Sequence, residues 1–370
     1  MIFIILGIIL RFVLMPIVYH PDVRAMGMGG YLISQKNQVT QFYDYLSRQP
    51  RDDRWVEIFT DGLFIYPPLA YLVHGLFMTL TFAFYPFTTL VALLNEAEIA
   101  KQMPSWNYLL FMLKAPYLIL EAILVFAIYK LSDPKYKKSV LIFCALNPVI
   151  LYSSYAMGQF DILIGYLVAI AALVAQRSSY LSAVLLGVAS GFKPFPLFLL
   201  PMLGKNLKEK IISVSIGLAT YGLIISPYLK SVAFKHYALL ASQTDKLDYA
   251  KILVSGSQYL SLFWLGLILL YWWNWYKPLQ LPIWGWFTAI LLLFYSVTNW
   301  HPQWLTWISI LLILSLVKNI KTRLPILILS CSSTLIILSF YTFIPDQAIS
   351  MARAIFAATS IVTVLKMRES

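Results

Sequence analysis

Residues 1–22 read MIFIILGIILRFVLMPIVYHPD. Met1 to Tyr19 is an apolar run broken only by Arg11. Wound as a helix it covers about 28 Å, enough to cross the hydrocarbon core of a bilayer. His20-Pro21-Asp22 then delivers an acid where lipid gives way to water. Four later apolar stretches are interrupted at what should be the same level. These are Tyr66-Pro67-Pro68, Gly158-Gln159-Phe160-Asp161, Phe192-Lys193-Pro194 and Trp300-His301-Pro302-Gln303. The expectation is that all five places meet in one cavity and that Asp22 does the chemistry there.

Composition sets the class. Of 370 residues, 60% are hydrophobic and 12% charged, against about 25% charge in a water-soluble domain. Mean hydropathy is +0.75, and apolar segments of spanning length recur from end to end. The chain reads as an all-α polytopic membrane protein; the alternating pattern of a membrane barrel is absent. The net charge of +12 does not call for nucleic acid, because the cations cluster in short loops between spans, as the positive-inside rule requires. Cys144 and Cys331 both lie in apolar runs, with neither metal-ligand nor disulfide spacing. The first run has no basic leader and no small-residue cleavage site follows it. It therefore reads as an uncleaved span rather than a signal peptide.

Lys and Arg then orient the chain. The segments Lys130 to Lys138, Arg177 to Ser179, Gly204 to Lys210, Lys277 to Pro282, Val317 to Arg323 and the tail from Lys366 hold fourteen cations and three acids. They are assigned to the cytoplasm. The chain is one transmembrane domain, residues 1–370, with a first external loop at 19–62, a re-entrant or hairpin region at 63–106 and a second external loop at 229–255. The first external loop is the most polar part, and its stripe Tyr31, Leu32, Val39, Phe42, Tyr43 and Leu46 predicts one or two amphipathic helices on the membrane surface. Leu63 to Ala97 is read as an external re-entrant or interface-lying helix pair, or else as two full spans. Parity requires Tyr180 to Leu203 to enter and return as two half-helices, broken at Gly191-Phe192-Lys193-Pro194.

The breaks carry the candidate chemistry. Asp22 can accept a proton, with His20 and Arg24 near enough in sequence to hold it ionised; it also fits an ordinary loop acid. Gln159 and Asp161 can bind sugar hydroxyls or a cation, while Asp161 equally suits a helix N-cap. Lys193 is an intramembrane charge suited to a phosphate, or a snorkelling lysine. His301 can donate to a phosphate oxygen or belong to an aromatic belt with Trp300 and Trp304. Arg11 and Glu121 are expected to pair across helices, or one of them with Lys114. Lys230, Lys235, Lys246 and Lys251, with His236, place cations in the second external loop, where they could draw in an anionic head group.

In this order the signposts resemble those of polyprenyl-phosphate-sugar-dependent glycosyltransferases of the GT-C fold, mannosyltransferases and glucosyltransferases among them. The similarity runs through Asp22, Tyr66-Pro67-Pro68-Leu69, Leu113-Lys114-Ala115-Pro116 with Glu121, Asn147-Pro148, Gly158-Gln159-Phe160-Asp161, Gly187 to Pro194 and Trp300-His301-Pro302-Gln303. The resemblance implies a GT-C-type helix bundle. In it a polyprenyl-phosphate sugar donates a hexose, with inversion, to a lipid-linked or other glycan acceptor on the non-cytosolic face. The membrane would be a plasma membrane, or the endoplasmic reticulum in a eukaryote. By position it makes Asp22 the general base and His301 and Lys193 the donor-phosphate contacts. Gln159, Asp161 and Tyr66 would lie on the sugar or acceptor side. The chain departs from the glucosyltransferases at Ile65, where they often carry an acid; the nearest acid is Asp61. A nucleotide-binding loop is not required and none is present, and the sequence assigns no cofactor. A divalent metal could bind through Asp22 and Asp161, although the sequence does not demand one. Two other classes share these features. A lipid or polysaccharide transporter or flippase should show inverted repeats, which the sequence lacks, and a non-catalytic scaffold of the same fold should tolerate loss of Asp22.

Overall fold

The computed structural model describes residues 2–59, 63–240, 242–277 and 280–368. Asp61 and Gly62, the acid nearest Tyr66 and the end of the first loop, lie outside them.

Among the described residues five helices are long and apolar enough to cross a membrane: Trp106–Leu131, Lys137–Ala156, Leu207–Tyr228, Ile320–Leu338 and Asp346–Arg368. A sixth run, Ile2–Ile17, turns by 83° into Asp22–Gln35. Proline explains that corner. Pro21 has no N–H and a fixed φ, so it ends one helix and caps the next, and Asp22 then sits in the first turn, where the helix dipole favours an anion.

The interior is built on Asp161–Val174, Ile283–Val297 and Thr306–Lys318, which are apolar on every side and mostly buried. A helix with no polar face belongs inside a bundle. Asp161–Val174 packs against Trp106–Leu131, Ser179–Ser190 and Thr306–Lys318. The outer helices instead expose large apolar side chains, such as Leu223, Trp272 and Ile361, a surface suited to lipid and not to water.

The ionic pair expected inside the bundle is Arg11 with Glu121. Arg11 Nε and Nη2 donate to the two carboxylate oxygens at 2.7 Å each. The remaining guanidinium bonds go to the carbonyls of Gly7, Ala145 and Cys144, and Glu121 also accepts from Tyr155 and Tyr166. Such a pair is tolerable away from water because every polar atom is matched. Lys114 takes no part in it.

Two expectations are corrected and one open alternative is removed. Asp22–Gln35 is not an amphipathic helix on a surface: none of its residues is exposed, and it packs against Leu69–Leu80. A Cβ on Gly29 would come within 2.8 Å of Tyr71, and one on Gly75 within 2.4 Å of Ile33, so glycines bring the two backbones together. Of the predicted stripe, Leu32, Phe42, Tyr43 and Leu46 are buried, but Val39 is exposed. Second, of the two alternatives for Leu63 to Ala97, two full spans fall away. It forms the helices Leu69–Leu80 and Phe87–Asn95; twelve residues reach only about 18 Å. Third, the chain is not wholly α. Lys251–Ser255 and Gln258–Ser261 form an antiparallel hairpin turning at Gly256, whose φ is +54°. The external loop placed at 229–255 therefore runs on through this hairpin, and the next helix begins at Leu262. The break at 191–194 stands where expected, between Ser179–Ser190 and a tighter 3₁₀ helix, Phe195–Met202.

Candidate active site

Residues from four of the five breaks line one cavity of about 540 Å³: His20 and Asp22, Tyr66 and Pro67, Lys193 and Pro194, and His301 to Gln303. The fifth, 158–161, lies directly behind its wall. Specific bonds hold the breaks together. The Leu69 amide donates to the Gly191 carbonyl at 3.0 Å, joining the Tyr66-Pro67-Pro68 turn to the 191–194 break.

The main tie is Lys114, which is fully buried. Its ammonium donates to the carbonyls of Met15 and Val18 at 3.0 and 2.6 Å, and to those of Tyr155 and Ala156 at 3.1 and 2.7 Å. Helix C-termini leave carbonyls without partners and carry partial negative charge. One cation placed between two such ends satisfies both. It fixes the corner before Asp22 relative to the turn before Gln159. Gly158 completes that turn: its φ is +79°, and a Cβ there would meet Val23 Cγ2 at 2.6 Å and Lys114 Cε at 3.2 Å. Only glycine fits both demands without strain.

The two acids of the site differ sharply. Asp22 keeps 35% of its side chain exposed and accepts a hydrogen bond from Gln159 Nε2. His20 Nδ1 lies 3.6 Å from Asp22 Oδ2, but the same nitrogen accepts from the Asp22 backbone N–H at 3.3 Å. Arg24 does not hold Asp22. Its guanidinium donates to the Leu94 carbonyl at 2.7 Å and lies over the Phe59 ring.

Asp161 is wholly buried. It opens Asp161–Val174 without capping it. Oδ1 instead accepts from Lys193 Nζ at 2.6 Å and Trp307 Nε1 at 2.5 Å, while Oδ2 has no partner. The Lys193 ammonium also lies within 5.0–5.4 Å of the ring centres of Tyr66, Phe160, Trp304 and Trp307. Aromatic faces and one carboxylate thus compensate a cation that is buried but for its edge on the cavity.

Gln159 and Asp161 do not line the cavity. Each stands one layer back and holds a side chain that does, Asp22 and Lys193 respectively. For a metal, the consequence is that Asp161 already has a cation. Among the described residues no group of three or more His, Cys, Asp or Glu side chains is placed to hold a metal ion.

His301 faces a partner that the spacing of the breaks does not reveal. Its Nε2 lies 2.7 Å from Lys246 Nζ, and Lys246 sits over the Trp304 ring at 4.8 Å. Loss of hydration and the nearby Lys246 and Lys193 ammoniums hold the His301 pKa below its ordinary value. Lys246 is lowered too, by desolvation first and then by Lys193. The sequence marks Lys246 as a cation on the predicted outer side but does not tie it to His301.

No family model, curated protein or solved structure matches the chain.

Proposed function

We propose that the chain is an integral membrane glycosyltransferase that moves a hexose, mannose or glucose, from a polyprenyl-phosphate donor to a lipid-linked or other glycan acceptor. The reaction takes place on the non-cytosolic face, in a GT-C-type bundle. The observation that carries this reading is the contrast between two carboxylates beside one cavity. Asp161 is neutralised by Lys193. Asp22 has an amide partner, the His20 imidazole 3.6 Å away, no Lys or Arg ion-pair partner among the described residues, and access to the cavity. Environments that separate two acids in this way separate their roles, and Asp22 is the one left able to take a proton.

In the reaction, Asp22 accepts the proton of an acceptor hydroxyl as that oxygen bonds to the anomeric carbon. The bond from that carbon to the phosphate oxygen breaks on the opposite face, and its electron pair leaves with the lipid phosphate. The products are the inverted glycoside and a polyprenyl phosphate. His301, Lys246 and the N–H donors of Lys193 not given to Asp161 would meet the departing charge. Tyr66 lies on the same wall. Phe195, Phe198, Leu239 and Phe340 supply an apolar side that suits a prenyl chain.

The test is transfer by purified protein over a panel of polyprenyl-phosphate mannose and glucose donors, with lipid-linked and free glycan acceptors. The expected result is one donor giving product of inverted configuration. Substrate-dependent flux across proteoliposomes with no sugar transfer would overturn the reading in favour of a transporter.

A further inference from the structure

A second site lies at the other end of the bundle. Asp161–Val174 starts at the cavity and runs about 20 Å away from it. Beyond its far end, three connections close around a space of about 450 Å³. Arg177, Ser178 and Tyr180 come from the first, Gly204 and Lys205 from the second, and Asn274 and Pro282 flank the third. These are three of the basic loops that the Lys/Arg distribution assigns to the cytoplasm.

Arg177 and Lys205 are exposed, and neither makes an ion pair among the described residues. Glu209 is the one acid in the lining, and it is engaged locally: it accepts from the Lys205 backbone N–H at 3.0 Å and from Asn206 Nδ2 at 3.2 Å. Next to this space runs an apolar groove of about 290 Å³ lined by Leu207, Ile211, Val214, Tyr271 and Trp275. Asn274 borders both. At the junction stands Lys210, 8% exposed. Its ammonium donates to Asn274 Oδ1 and to the Pro201 carbonyl at 3.3 Å. Both acceptors are neutral, and a lysine has three donors. A buried cation without a carboxylate is costly unless an anion joins it.

From this arrangement we infer that the chain binds one anionic glycerophospholipid of the cytoplasmic leaflet. Its phosphate lies among Arg177, Lys205 and Lys210, and one acyl chain lies in the groove between Leu207–Ile225 and Leu262–Tyr276. Free phosphate would use the cations and leave the groove empty. A zwitterionic lipid would fill the groove but bring its own positive charge against three others. The negative potential of the cytoplasmic leaflet enriches the fitting ligand at this end. The inference does not rest on the proposed sugar transfer.

The experiment is native mass spectrometry of the full chain, delipidated in an uncharged detergent. The probes are phosphatidylglycerol, phosphatidylcholine of the same acyl chains, and inorganic phosphate. The expected result is one retained phosphatidylglycerol, preferred over phosphatidylcholine by roughly tenfold or more. That preference should fall to parity in Arg177→Gln/Lys205→Gln, whose exposed side chains make no ion pair to lose. Val214→Trp keeps every cation but fills the groove, and should also lose the lipid. Equal retention of the two lipids in the wild type, a preference unchanged in the double variant, or full retention by Val214→Trp would each overturn the inference. So would inorganic phosphate that displaces phosphatidylglycerol at equal concentration.

Discussion

Asp22→Asn and Asp161→Asn remove one charge each from the same neighbourhood, yet they should fail in different ways. Asp22 has a third of its side chain exposed, and its one amide partner is Gln159. An asparagine can turn its own oxygen to that donor, so the bond survives. The folding loss is confined to the favourable placement of a carboxylate at a helix N-terminus, about 0.3–1 kcal/mol. The catalytic loss is that of a positioned general base, about 10²–10⁴-fold, or roughly 3–5 kcal/mol on the barrier. Asp161 is the reverse case. Its carboxylate is fully buried and holds a buried Lys193, and breaking such a pair costs about 3–5 kcal/mol of stability because one charge is left without compensation. Sugar transfer and detergent-phase unfolding should be measured on both variants. The expected outcome is a well-folded, inactive Asp22→Asn and an unstable Asp161→Asn. Turnover within a few fold of wild type in Asp22→Asn would remove Asp22 from the chemistry. Wild-type stability in Asp161→Asn would refute the ion-pair argument.

Lys114→Met should be the most destabilising single change near the cavity. Four carbonyls, three of them in buried contacts, lose their donor, at about 1–3 kcal/mol for each buried one left unpaired, and loss of folded protein on size-exclusion chromatography checks it. Gly158→Ala forces a side chain into a positive-φ position already crowded by Val23. Transfer activity should drop as Gln159 shifts, with a smaller fall in melting temperature than in Lys114→Met. His301 sets a pH dependence. Its pKa lies below the ordinary 6.5 in the folded protein, so below about that pH the unfolded chain binds the proton first. The stability contribution is full above 6.5 and is lost as pH falls toward the folded value. The melting temperature of wild type relative to His301→Phe should fall as pH is lowered from 7.5 to 5; parallel curves would show that His301 does not titrate as described.

Some of this was legible along the chain because it depends on local composition. The first apolar run is helical over Ile2–Ile17, as its hydropathy requires, and Pro21, Pro67 and Pro194 mark the breaks because a missing N–H acts on its own turn. Arg11 and Glu121 were readable as partners because two charges in apolar runs must find each other. The hairpin at 251–261 had a local signal, Gly256 between two apolar stretches, but helix and strand are hard to tell apart over so few residues.

Hydropathy by itself therefore determined how many apolar segments there are, where they are interrupted, and that the interruptions carry polar groups. Which polar group faces which was decided only by packing. Lys114 serves the carbonyls of two distant helix ends instead of an acid, Asp161 pairs with Lys193 rather than capping its own helix, and Lys246 reaches His301 from 55 residues away. The physical reason is that a buried charge is governed by the nearest matching atom in space. In a helix bundle that atom seldom lies within the same turn of chain.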